Sequence, residues 1–199
     1  MPDVGYDHSA MDDKAQLLDA IADEIRGHVP CGFAICEEAT NLVPGEGDPD
    51  AAVVFVGEAP GASEDKQGKP FVGSAGKLLN ELLAEAGLER SDVFITNVVK
   101  ARPPKNRDPK PDEVEHHLPW LVAQLEVIRP RFVIPLGRHA MGRFVEGVTI
   151  TEAHGRPVEQ GEHGRTIVPW FHPAAAIYNR TLRESLHEDA RRLGEMLRA

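Results

Sequence analysis

Four short runs of apolar, largely β-branched residues, spaced by stretches of helical periodicity, constrain this 199-residue chain more than anything else in it. The runs are Ala51 to Val56, Val93 to Thr96, Phe132 to Leu136 and Thr166 to Trp170. Each is nearly continuous in hydrophobicity, as a strand covered on both faces has to be. Between and around them lie helical patterns over about 74 to 87, 111 to 129, 138 to 145 and 182 to 198. Pro111 followed by Asp112, Glu113 and Glu115 suits the start of the second of these. Strand and helix alternating in this way give an α/β fold with a parallel sheet between helical layers. In such sheets ligands gather beyond the carboxyl ends of the strands, so the segments that follow each run are where chemistry is expected.

An earlier helix over roughly 13 to 28, with Leu17, Leu18, Ile21 and Ile25 at helical spacing, is expected to end at Pro30. It falls in a segment of unusual charge. Residues 1–50 hold twelve acids and two bases, whereas residues 51–199 hold twenty of each. The reading is therefore an acidic N-terminal helical appendage over 1–30 and one domain over 31–199. Within the neutral remainder Lys100, Arg102, Lys105, Arg107 and Lys110 face only Asp108, and a local basic edge can hold phosphates on an acidic protein. No run of eighteen apolar residues exists, and the first ten residues carry acids where a secretory leader needs positive charge. A cytoplasmic protein without a membrane partner is expected. Its two cysteines, Cys31 and Cys36, are too few to staple it.

Three strand ends carry candidate chemistry. After the first run comes Gly57-Glu58-Ala59-Pro60-Gly61-Ala62-Ser63-Glu64-Asp65, then Phe71 within a glycine-rich stretch that opens a helix. Helix N-termini there offer free N–H groups to an anion or a carbonyl oxygen. The second run ends on Asn97, whose amide has one acceptor and two donors, the complement of a base edge, though asparagine at a strand end is also a common turn former. The fourth runs into Phe171-His172-Pro173, where Pro173 holds His172 extended. A histidine so placed can polarise or protonate a substrate, or be a buried, hydrogen-bonded core residue.

The strings GEAPGASEDKQGKPFVGSAGKLL (57–79), ITNVVKARPPKNRDP (95–109) and FHPAA (171–175), with VPGEGDPDA (43–51) ahead of them, closely resemble the family 4 uracil-DNA glycosylases. The resemblance covers about residues 31 to 180. It implies a three-layer α/β/α sandwich with a central four-stranded parallel sheet, and removal of uracil from DNA in base excision repair by a monofunctional, monomeric enzyme that leaves an abasic site. It also implies that four side chains converge on a flipped base. Glu58 and His172 are the catalytic pair, the first beside the sugar and the second donating to the departing uracil oxygen. Gly57, Ala59, Glu64, Phe71 and Asn97 form the substrate pocket, with Phe71 as the stacking platform, Asn97 reading the polar edge and Glu64 helping to exclude the thymine methyl. Lys100, Arg102, Lys105, Arg107, Lys110 and Arg180 are the DNA contacts. Two other readings stay open: a protein of this fold that binds uracil or single-stranded DNA with weak or no cleavage, and a glycosylase for another base such as hypoxanthine or thymine.

In one respect the chain departs from its family. Those enzymes usually hold a [4Fe-4S] cluster through four cysteines, whereas here the third position is Ala101 and the fourth His117. Such a cube needs four protein ligands, almost always thiolates. No cluster and no other cofactor is expected. Cys31, Cys36 and His117 remain weak candidates for a metal, and adjacent His116 and His117 are not expected to point inward together from one helix.

Overall fold

The computed structural model describes residues 8–160 and 164–199; the first seven residues of the acidic segment lie outside them. Six strands form one sheet: β1 (Glu46–Gly47), β2 (Val53–Gly57), β3 (Phe94–Asn97), β4 (Phe132–Pro135), β5 (Glu159–Gln160) and β6 (Thr166–Ile167). Their order is β1-β3-β2-β4-β6-β5. The middle four run parallel, and the two short edge strands pair antiparallel with β3 and β6. The four expected strands are therefore the parallel core of the sheet, and the expected count is corrected to six by two edge strands of two residues each. Pairs this short carry no period-2 signal.

The helices are α1 (His8–Arg26), α2 (Ala34–Glu37), α3 (Ala62–Gln67), α4 (Ser74–Ala86), α5 (Pro111–Ile128), α6 (Gly137–Met141), α7 (Ile150–Ala153), α8 (Pro173–Ala176) and α9 (Arg180–Arg198). Two cores explain the unbroken apolar runs. Along β2, Val54 and Val56 pack with α1 and α5 through Leu18, Ile25, Leu121, Leu125 and Ile128. Val53 and Phe55 pack on the other face with α4 and α9 through Leu79, Leu82, Leu83, Leu186 and Leu193. Each such side chain, fully withdrawn from water, contributes about 1.5–3 kcal/mol. The pairing of the fourth run outlasts β6: Val168 and Trp170 still donate N–H bonds to the carbonyls of Val133 and Pro135. Pro169, which has no N–H, lies between them.

α1 lies against α5. Trp120 donates its indole N–H to Glu24 at 2.8 Å, and Lys14 donates to Asp50 at 2.6 Å and to the carbonyl of Ile128 at 3.2 Å. No helix among the described residues is long and apolar enough to cross a membrane.

Candidate active site

The parallel register sets Gly57, the last residue of β2, directly beside Asn97, the last residue of β3. Neighbours in register project to the same face, which at this point is the α4 side. Gly57 has to lack a side chain: a Cβ there would stand 2.2 Å from Asn97 Oδ1 and 2.7 Å from the Phe71 ring. With that space free, Ala59, Gly61, Glu64, Phe71, Ala75, Asn97, His172 and Ala174 line a cavity of about 160 Å³. This lies well below the roughly 300–1,000 Å³ of a drug-sized pocket and matches a single small ring. Asn97 is 2% exposed, and its Oδ1 is buried without a hydrogen-bond partner within the protein. A buried orphan acceptor lining a cavity is the mark of a group kept for a ligand.

Phe71 sits at φ +48°, in the left-handed region that a bulky residue occupies only when its surroundings impose it. Two side chains impose it here. Glu64 Oε1 accepts the N–H bonds of Val72 and Gly73, both at 2.9 Å. Arg90 donates to the carbonyls of Pro70 at 2.6 Å and Phe71 at 3.4 Å, while an ion pair with Glu46 at 3.1 Å holds it in place. Glu64 thus lines the cavity and clamps the loop that carries the aromatic ring. Arg90 does so from the loop before β3, where no motif marks it.

His172 caps α8, its Nδ1 accepting the N–H of Ala174 at 3.1 Å. That bond places the hydrogen of a neutral imidazole on Nε2. Burial pushes the His172 pKa down to about 4, only partly opposed by Glu64, so at neutral pH the ring is an uncharged N–H donor. Its ring centroid lies 5.8 Å from that of Phe71. The backbone is packed closely: Gly137, at φ +85°, donates to the carbonyl of Trp170, and a Cβ on it would stand 3.0 Å from His172 Cβ. Phe171, the next residue back, packs on His154, whose Nδ1 is paired with buried Asp189 at 2.8 Å.

Glu58 is placed differently from the expectation that four side chains share one hollow. It lines a neighbouring cavity of about 220 Å³ with Val98, Val99, Pro109, Pro111, Val114, His139 and Arg143. Strand parity is the reason. Residues 53, 55 and 57 face α4, so residue 58 turns with 54 and 56 toward α5. Glu58, Asp108 and His139 bring their side-chain ligand atoms within 4.8 Å of one another. Burial raises the Glu58 pKa, His139 draws it down, and Asp108 adds to the rise. Ala59 lines the base-sized cavity and adjoins Glu58, so the two hollows share this turn.

The basic stretch is less free than its composition implies. Lys100 is fully buried, its Nζ donating to Thr96 Oγ1 at 2.7 Å, the Asn97 carbonyl at 2.8 Å and Gln124 Oε1 at 2.7 Å. Burial lowers its pKa well below the usual lysine value. It cannot reach a phosphate; it anchors the backbone of Asn97. Arg107 is occupied by a two-pronged bond to Glu113 at 2.7 and 2.5 Å. Arg102 donates to Asn106 at 2.7 Å and lies 3.8 Å from Asp65. Lys105 and Lys110 are exposed, and Arg180 is 91% exposed beside Glu184. Sequence reasoning passed over Tyr178, which is 98% exposed on the turn between α8 and α9. A lone aromatic shows its exposure only once the fold is known.

A [4Fe-4S] cube does not fit these residues. The chain has only two cysteines; Ala101, at the third ligand position, is fully buried and offers no donor; and His117 stands at the fourth.

The sequence pattern of the uracil DNA glycosylase superfamily matches residues 44–193. A type-4 uracil-DNA glycosylase of Archaeoglobus fulgidus is 46% identical over 91% of this chain and 94% of its own length. One from Sulfurisphaera tokodaii is 44% identical over 90% of this chain and 84% of its own, and one from Thermotoga maritima 43% over 88% and 92%. A cavity of this size at the ends of β2 and β3, the three strings around it and these relatives together place the chain in the uracil-DNA glycosylase superfamily, among its type-4 members.

Proposed function

We propose that the protein is a monofunctional glycosylase that hydrolyses the N-glycosidic bond of uracil in DNA, leaving an abasic site for base excision repair. The observation that carries this is the meeting of Phe71, Asn97 and His172 around one base-sized cavity. Uracil presents a carbonyl and an N–H on its pairing edge, and the orphan Oδ1 of Asn97 supplies the acceptor that the N–H needs. Flipping the base out of the stack costs a few kcal/mol, and stacking on Phe71 returns on the order of 1–3 kcal/mol. A ring that leaves this acceptor unmatched forfeits the bond, which is how the site discriminates. Glu64 lines the same wall and limits the room for a thymine methyl.

Breaking the bond leaves charge on both sides. The electron pair of the C1′–N1 bond goes to the base, and the Nε2–H of His172 stabilises the resulting anion through a carbonyl oxygen. The sugar becomes cationic at C1′ and stays outside the cavity, on the side of Ala59. There Glu58, made more basic by its half-buried setting, orients water and takes its proton as the oxygen bonds to C1′. The base anion acquires a proton from solvent on release.

Lys105, Lys110 and Arg180 hold backbone phosphates, with Arg102 beside them, and Tyr178 enters the gap the base leaves. The reading includes a cytoplasmic monomer. Its test is alkaline cleavage of labelled oligonucleotides carrying uracil opposite adenine, opposite guanine, or unpaired. Strand breaks at uracil that vanish in Asn97→Ala and His172→Ala support it. Binding without breaks would make the protein a uracil reader, and breaks at hypoxanthine or thymine alone would change its substrate.

A further inference from the structure

Both cysteines of the chain and three of its nine histidines gather at one place, where the turn after α1 meets α2 and the first half of α5. The ligand atoms of His28, Cys31 and His116 all lie within 4.8 Å of one another, and the Nε2 atoms of His28 and His116 are 3.0 Å apart. A tetrahedral zinc ion, with bonds of about 2.0–2.1 Å to nitrogen and 2.3 Å to sulfur, needs its ligand atoms roughly 3.3–3.7 Å apart. The set therefore closes on an ion with shifts of about an ångström. Cys36, the other thiol, stands outside that set and joins it as a fourth ligand by a further turn of its side chain. His116 and His117 do both turn toward this region, against expectation, by dividing the work. Their rings are 5.2 Å apart, His116 reaching His28 and His117 reaching Cys36 Sγ at 3.5 Å.

We propose that His28, Cys31, Cys36 and His116 bind one zinc-class dication that ties the end of α1 to α5.

His117 completes the arrangement without being a ligand. Its Nδ1 accepts the backbone N–H of Lys100 at 3.3 Å, which leaves the ring hydrogen on Nε2, directed at Cys36 sulfur. An N–H aimed at a ligating thiolate is the usual outer partner of such a site. The other rings are braced as well: His116 stacks on Phe33 at 4.5 Å between centroids, and His28 meets the edge of Trp120 at 4.6 Å. Two thiolates and two imidazoles as a donor set select zinc over magnesium or calcium, which take oxygen ligands. His28, Cys31 and His116 are each only partly buried, so an ion has a way in.

The test uses the full chain, purified without chelator, stripped with EDTA and titrated with cobalt(II). The expected result is saturation at one equivalent with the absorption of tetrahedral, thiolate-bound cobalt, displaced by zinc. Metal analysis of the unstripped protein is expected to give one zinc per chain, and the thermal midpoint to fall on stripping and recover with zinc. Cys31→Ser and His116→Ala should each weaken cobalt binding by more than about tenfold, and His117→Asn by up to about tenfold. If a variant fails to fold, the wild-type titration decides alone. Absence of saturable cobalt binding, iron with acid-labile sulfide in the purified protein, or a Cys31–Cys36 disulfide in protein handled without oxygen would each overturn the proposal.

Discussion

Replacing His172 with alanine removes one hydrogen-bond donor whose state the structure defines closely. Nδ1 is engaged by the N–H of Ala174, so only Nε2–H is left to face a leaving base. Loss of one preorganised donor to a developing anion costs about 2.7–4 kcal/mol of barrier, a fall of about 10²–10³ in the rate of the chemical step. The pH dependence makes the test sharper. With a pKa of about 4, about 97% of the imidazole is neutral at pH 5.5, against about 9% for an unperturbed histidine. Single-turnover excision, measured with enzyme in excess over a uracil-containing oligonucleotide from pH 5.5 to 8, should therefore show no inflection near 6.5 that belongs to this residue. His172→Ala should shift the whole profile down without changing its shape in that window. The reasoning is refuted by a wild-type inflection near 6.5 that disappears in the variant, or by a variant that keeps the wild-type rate.

Gly57→Ala should abolish excision while leaving DNA affinity within a few-fold, because its Cβ would meet Asn97 Oδ1 at 2.2 Å and close the cavity rather than the DNA-binding edge; binding and single-turnover assays on one oligonucleotide separate the two. Arg90→Ala releases the strained turn at Phe71 and is expected to lower excision by about tenfold, corresponding to about 1.4 kcal/mol of lost positioning, with little change in thermal midpoint. With Lys100 buried and Arg107 paired, the logarithmic salt slope of duplex binding should be about −3, for Lys105, Lys110 and Arg180, and each of these changed to alanine should reduce it by about one. His117 is held neutral by burial, its pKa lowered to about 3, so the unfolded chain binds the extra proton as pH falls below 6.5. Denaturant midpoints of the EDTA-stripped protein should therefore decline from pH 7 to pH 5 and decline less in His117→Asn.

The parallel core was legible because β2, β3 and β4 are buried on both faces and so carry unbroken apolar runs. The edge strands and the short helices α2, α3, α7 and α8 were not, since two to six residues give no period. Asn97 and His172 could be read at strand ends, and Phe71 in the glycine-rich string between. What the sequence hid was direction. Lys100 stands in a row of cations, yet it folds beneath the sheet to Gln124, a residue on α5 that no local pattern links to it. Glu58 belongs to the first motif, and counting parity along β2 would have turned it away from Gly57 toward α5. The clamp on Phe71 joins residues 64 and 90 to a loop at 70–73, and Arg90 reaches it from twenty residues further along the chain.

The central claim is that the hollow at the ends of β2 and β3 receives the excised base. A crystal structure of the protein with abasic DNA and free uracil tests it most directly. The uracil ring is expected against Phe71, its N–H on Asn97 Oδ1 and a carbonyl oxygen on His172 Nε2, with the sugar on the Ala59 side near Glu58. Uracil bound in any other hollow, or held there with Asn97 Oδ1 still unpartnered, would contradict it.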